Sequence, residues 1–219
     1  MDPSFWLERW QKNEIGFHAP SVQPALAKHW NSLNVAKGSA VLVPLAGKSL
    51  DMAWLASQGH RVVGAELSEL AVDQFFSENG LVPEVRTVRG FKVKSADGIE
   101  IWCGDFFALH RDDLPRLDAA YDRAALVAMP RDMQPRYAAK MAELMPAGSP
   151  ALLVGLDYNP QEMQGPPFNI PQARVRELYE PAFDVTVIEA KDGLAKSDHL
   201  AKRGVTWLEE ASYLLRRMA

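Results

Sequence analysis

A short run, Ser39-Ala-Val-Leu-Val-Pro-Leu45, constrains this chain more than any other feature. It is almost wholly apolar and too brief for a buried helix, so it reads as a strand covered on both faces. Ser49 to Gln58 follows as a helix, with Ser49 as N-cap and Gly59 as stop. Arg61 to Leu67 is a second β-branched run, and Ser68 caps a helix that runs to Asn79 before Gly80. Further on, Phe91–Lys94 and Ile99–Trp102 alternate around Asp97-Gly98, a strong hairpin signal. Strands are expected at 119–127, 151–156, 183–188 and 206–216, and helices at 131–145 and 171–179. Strand–helix alternation of this kind predicts a single α/β domain over residues 1–219, built on a doubly wound, mostly parallel sheet. A late hairpin closes one sheet edge. Residues 37–219 form this core. Residues 1–36 hold Phe5, Trp6 and Trp10 at helical spacing, then a Gly/Pro-bearing loop. They do not fit the repeat and are read as an N-terminal lid.

Composition narrows the class. A chain of 219 residues can bury a sizeable core without staples. The single cysteine, Cys103, excludes an internal disulfide framework and any multi-cysteine metal site, and packs in a strand rather than serving as nucleophile. A net charge of −4 disfavours nucleic acid as a partner. No apolar run approaches a membrane span, and Met1-Asp2-Pro3-Ser4 does not resemble a signal peptide. A cytoplasmic protein is expected. His18, His29, His60, His110 and His199 show no ligand spacing, so no metal is expected.

Ligands of such sheets bind beyond the carboxyl ends of the strands. The first strand ends at Pro44-Leu-Ala-Gly47-Lys-Ser49, the second at Glu66, and the hairpin strand at Cys103-Gly104-Asp105-Phe106. A carboxylate at Glu66 suits the two hydroxyls of a ribose; its alternative role is to cap the helix after Ser68. No G-x-G-x-x-G is present, and Leu42 stands where a P-loop needs its first glycine. The Gly47 turn therefore lacks a phosphate nest, which disfavours nicotinamide dinucleotides. It points to a nucleoside without phosphates, such as S-adenosylmethionine. Asp105 then suits the adenine amino group, and is equally accounted for as a turn residue after Gly104.

The ordered pieces Phe5-Trp6-x3-Trp10, Gly16-Phe17-His18, Val43-Pro-Leu45-x-Gly47-Lys-Ser49-x-Asp51-Met52 and Gly64-x-Glu66-Leu67-Ser68 are specific together. So are Gly104-Asp-Phe-Phe107, Tyr121-Asp-Arg123-Ala-Ala-Leu126, Gly165-Pro-Pro-Phe168 and Tyr213-Leu-Leu215. In this arrangement the chain resembles the thiopurine S-methyltransferase family, short bacterial type, over nearly its whole length. Ala46 stands where family members often carry cysteine.

The resemblance implies a Rossmann-like class I fold and S-adenosylmethionine as cofactor, with S-adenosylhomocysteine as product. It implies methyl transfer to the sulfur of aromatic or heterocyclic thiols by a monomer. Cofactor contacts would fall on Trp10, Leu45, Gly47, Glu66, Leu67, Asp105, Phe106 and Arg123. Phe17 would face the acceptor, with Trp6 and Phe168 completing an apolar roof. The family's second acceptor arginine falls near His199, beside Lys202 and Arg203. No catalytic base is expected; Arg123 is a candidate stabiliser of the thiolate. Two alternatives stand: methylation of selenium or tellurium oxyanion derivatives, and a nucleoside-binding protein without catalysis.

Overall fold

The computed structural model describes residues 3–219, and they divide into two compact units, 1–121 and 122–219. Residues 1 and 2, part of the expected lid, lie outside the described residues. Among the described residues no helix is long and apolar enough to cross a membrane.

The first unit opens with two helices, α1 (Pro3–Gln11) and α2 (Pro24–His29), and among the described residues no strand precedes Ala40. Then follow β1 (Ala40–Val43), α3 (Leu50–Ser57), β2 (Arg61–Glu66), α4 (Glu69–Glu78), β3 (Glu84–Val88), β4 (Phe91–Ala96), β5 (Ile99–Cys103) and β6 (Ala119–Arg123), whose last two residues are counted with the second unit. The strand order is β3-β4-β5-β2-β1-β6. β1 pairs in parallel with β2 and β6, and β2 in parallel with β5; β3, β4 and β5 form an antiparallel meander. The central strands are buried on both faces, which is why β1 reads as a continuous apolar run.

Both expected N-caps form. The Ser49 hydroxyl accepts from the Asp51 N–H at 3.2 Å, and the Ser68 hydroxyl from the Ala71 N–H at 3.3 Å. Each such cap stabilises its helix by about 1 kcal/mol. The hairpin turn falls on Asp97 and Gly98, both at positive φ (48° and 78°), the requirement of a type I′ turn. Trp30 Nε1 donates to His60 Nε2 at 2.9 Å, which occupies one ring nitrogen of that buried histidine.

The sequence reading missed β3. Its residues are almost all exposed, so it carries no burial pattern. The strand expected over 119–127 stops at Arg123, because Ala124 turns into the left-handed region (φ 67°) and a short 3-10 turn follows at Leu126–Ala128.

The second unit holds α5 (Gln134–Leu144), β7 (Pro150–Asp157), α6 (Gln172–Tyr179), β8 (Phe183–Asp192), α7 (Asp198–Ala201) and β9 (Glu209–Arg217). α5 begins three residues later than expected from the sequence, with Pro135 in its first turn. β9 pairs antiparallel with both β7 and β8, giving the late hairpin, and β8 runs to Asp192 rather than Ile188. Tyr158 and Met163, after β7, form a small apolar cluster with Leu200, Val205 and Leu208.

Candidate functional site

The first unit assembles its site residues at the carboxyl ends of β1, β2 and β5. Glu66 closes β2 and is 7% exposed. Its Oε2 accepts from the Gly47 N–H and its Oε1 from the Ser68 N–H, both at 2.7 Å. One carboxylate thus ties the turn after β1 to the start of α4. The helix-end role weighed for Glu66 is real. A carboxylate offers about four acceptor positions, so the Gly47 and Ser68 N–H groups do not exhaust it. Burial pushes the Glu66 carboxyl above its ordinary range, opposed by the N–H groups of Ser68, Gly47 and Leu67.

The β1 turn is held in an unusual conformation. Leu45 (φ 48°) and Gly47 (φ 54°) are both left-handed. A β-carbon on Gly47 would lie 3.1 Å from the Trp10 indole, so glycine serves both the backbone and the packing. Trp10 is buried against this turn, while Leu45 and Leu67 are half-buried. Trp10 and Trp6 each meet Phe17 edge-on, with ring centroids 5.6 Å apart in both pairs. The expected helical spacing of the two tryptophans therefore produces one aromatic chain that ends on the Gly47 turn.

The end of β5 lies beside the end of β2, where the Gly104 N–H donates to the Glu66 carbonyl at 2.8 Å. Asp105 is exposed, and its Oδ1 accepts from the Phe107 N–H at 2.9 Å, so the turn role also holds for this residue. Phe106 is buried. Burial, then the Glu69 and Glu66 charges, push the Cys103 thiol up to about 11, which keeps it protonated and poorly nucleophilic at neutral pH.

Asp51 had no role assigned from its sequence alone. It is buried, accepts from the Gln23 N–H at 2.8 Å through Oδ1, and from the Tyr121 hydroxyl at 2.9 Å through Oδ2. It fastens the end of the N-terminal segment to the start of α3. Its position within the Gly47-Lys-Ser49-x-Asp51 piece was the available signal; its partners, 28 and 70 residues away, were not legible.

In the second unit Arg123 is half-buried directly after Asp122. Asp122 directs its carboxylate to the Tyr137 hydroxyl (2.7 Å) and the Leu126 N–H (3.2 Å). His199 reaches solvent, yet packing around its ring, then the charges of Arg203 and Arg123, hold its pKa below the ordinary imidazole range. At neutral pH the position expected to carry a second arginine is thus a neutral imidazole. Phe168 is half-buried, and its N–H donates to the Val127 carbonyl at 2.6 Å.

Comparisons with known proteins bear on this arrangement. The family model "Thiopurine S-methyltransferase (TPMT)" matches residues 1–218. A thiopurine S-methyltransferase of Pseudomonas fluorescens (strain SBW25) is 48% identical over 215 residues, covering 98% of this chain and 99% of that one. Another, from Pseudomonas paraeruginosa, is 49% identical over 217 residues and covers 99% and 100%. Among solved structures, the 1,6-didemethyltoxoflavin-N1-methyltransferase of Burkholderia thailandensis, with bound S-adenosylhomocysteine, superposes with a TM-score of 0.67. It is 17% identical, over 99% of this chain and 87% of that one. At that distance the likeness establishes a shared fold, the Rossmann-like fold of S-adenosylmethionine-dependent methyltransferases. The chain belongs to the thiopurine S-methyltransferase family and is an S-adenosylmethionine-dependent methyltransferase.

Proposed function

We propose that the chain transfers a methyl group to the sulfur of flat aromatic or heterocyclic thiols. The observation that carries this reading is the chain of rings formed by Trp6, Phe17 and Trp10, set against the Gly47 turn. It offers an edge-rich apolar surface to a planar acceptor. The relatives named thiopurine S-methyltransferase support the same substrate class. Family membership sets aside the non-catalytic alternative.

The residues fit the cofactor. Glu66 accepts from the ribose hydroxyls in this reading, exposed Asp105 from an adenine amino group, and Trp10, Leu45, Gly47, Leu67 and Phe106 supply apolar walls. Arg123 completes the cofactor set in this reading. S-adenosylmethionine, when bound, supplies an activated methyl group, so the protein needs no strong base. Its task is to orient the acceptor and exclude water, effects worth about 7–11 kcal/mol at the limit. Arg123 lowers the acceptor's pKa by stabilising the thiolate, and Phe168 and His199 face the acceptor. In this reading one methyltransferase domain acts as a cytoplasmic monomer.

A panel of thiols and of selenium and tellurium oxyanions, assayed for S-adenosylhomocysteine release, tests the substrate class. Aromatic thiols are expected to turn over fastest. Turnover of the metalloid oxyanions alone would replace this reading with the metalloid one. Arg123→Met should lower kcat/KM more for thiols of high pKa than for those ionised at pH 7. An equal proportional loss across the thiols leaves Arg123 a cofactor or scaffold residue.

The N-terminal segment is the cover of this site. Amide hydrogen exchange over residues 6–20 is expected to slow when S-adenosylhomocysteine is added, as for a segment that closes over ligand. Identical exchange with and without it would refute a cover.

A further inference from the structure

The segment Gly165–Phe168 contains two prolines, which have no N–H to give. Its three successive carbonyls are nevertheless all bound, and by side chains. Arg203 donates through Nη1 to the Pro166 carbonyl at 2.6 Å and through Nη2 toward the Gly165 carbonyl at 3.4 Å. The Tyr158 hydroxyl donates to the Pro167 carbonyl at 2.5 Å. Tyr158 is buried, and burial pushes its pKa up to about 12 while the nearby Arg203 charge pulls it down. The next residue, Phe168, donates its own N–H to Val127. Its ring then folds back over Gly165, where a β-carbon would lie 2.5 Å from it. Gly165 sits at φ 76°, so both conformation and contact require glycine.

Two side chains from separate stretches, one after β7 and one after α7, therefore fix a segment that ends in the half-buried Phe168 ring. We propose that Arg203 is a specificity-determining positioning residue, which sets the Phe168 ring at the acceptor by clamping the carbonyls of Gly165 and Pro166. This rests on the acceptor reading of Phe168. The guanidinium suits the task because its fixed fork reaches two adjacent carbonyls and keeps its charge at every working pH. Arg203 acts through the loop and does not itself meet the acceptor.

The test uses the full chain with Arg203→Met, Arg203→Lys and Tyr158→Phe. In Arg203→Met the exchange of the Phe168 amide should quicken about tenfold, the loss of one good hydrogen-bond anchor, and Arg203→Lys should restore part of the protection. With an aromatic thiol that the wild type turns over, acceptor KM should rise about five- to tenfold while the KM for S-adenosylmethionine stays constant. Tyr158→Phe should move acceptor KM the same way, and the double variant less than additively. Unchanged Phe168 exchange in Arg203→Met would overturn the clamp outright. Faster exchange with an unchanged acceptor KM would overturn its role in specificity, and so would equal changes in both KM values. If the wild type turns over no aromatic thiol, the acceptor reading falls while the exchange data still judge the clamp.

Discussion

Glu66→Ala is expected to weaken S-adenosylmethionine binding by about 1.5–3 kcal/mol, roughly 10- to 150-fold, the range for hydrogen bonds to a charged group. The same substitution takes the acceptors from the Gly47 and Ser68 N–H groups, both bound at 2.7 Å in a buried setting. Leaving such donors unmatched costs about 1–3 kcal/mol of stability. Affinity and stability should therefore fall together, and circular dichroism must show a folded variant before affinity is read. Glu66→Gln separates the two contributions. The amide oxygen can replace one acceptor, but the amide nitrogen would face an N–H at the other. This variant should bind better than Glu66→Ala and remain weaker than wild type. A folded Glu66→Ala protein with wild-type affinity by calorimetry would eliminate Glu66 from the ribose role and leave it as the tie between the β1 turn and α4.

The second large effect concerns Asp122 and pH. The residue is 2% exposed, and burial raises its pKa from 3.8 to about 6, against the opposing hydrogen bonds from Tyr137, Leu126 and Ala125. The folded state thus holds this proton more tightly than the unfolded chain. Below pH ~4 both states are protonated and folding carries no penalty at this residue. Between pH ~4 and ~6 the unfolded chain ionises while the folded one resists, so stability falls as pH rises. Above pH ~6 the loss levels off at about 3 kcal/mol, from about 1.4 kcal/mol for each pKa unit. Asp122→Asn has no proton to lose. Its oxygen can accept from Leu126 and its amide can donate to the Tyr137 hydroxyl oxygen. Urea unfolding at pH 4, 5, 6 and 7.5 should show the variant gaining on wild type up to pH 6 and then holding its advantage. A stability difference that does not change with pH would show that the folded chain holds the Asp122 proton no more tightly than the unfolded one.

Much of this molecule is legible without its fold, wherever local chemistry has one solution. Asp97-Gly98 announces its turn because few residue pairs tolerate two positive φ values. The apolar runs at β1 and β7 announce buried strands, and Ser49 and Ser68 announce helix starts, because burial and capping act within a few residues. Glu66 could be picked out by position alone, since ligands of such sheets gather at strand ends. β3 was invisible because an edge strand with exposed faces has no burial period to read. Leu45 in the left-handed region was also invisible, since nothing in its type favours that conformation.

Partnership, by contrast, came from the folded chain. Glu66 meets Gly47 across 19 residues, Asp51 reaches Gln23 and Tyr121, and Arg203 clamps a segment 37 residues earlier in the chain. Which residues could donate, accept or be buried was readable from residue type, because those properties belong to the side chains. Which donor meets which acceptor depends on strand register and on the close packing of distant elements. Only the folded chain settles both, and a buried polar group left without its partner costs too much for the choice to stay open.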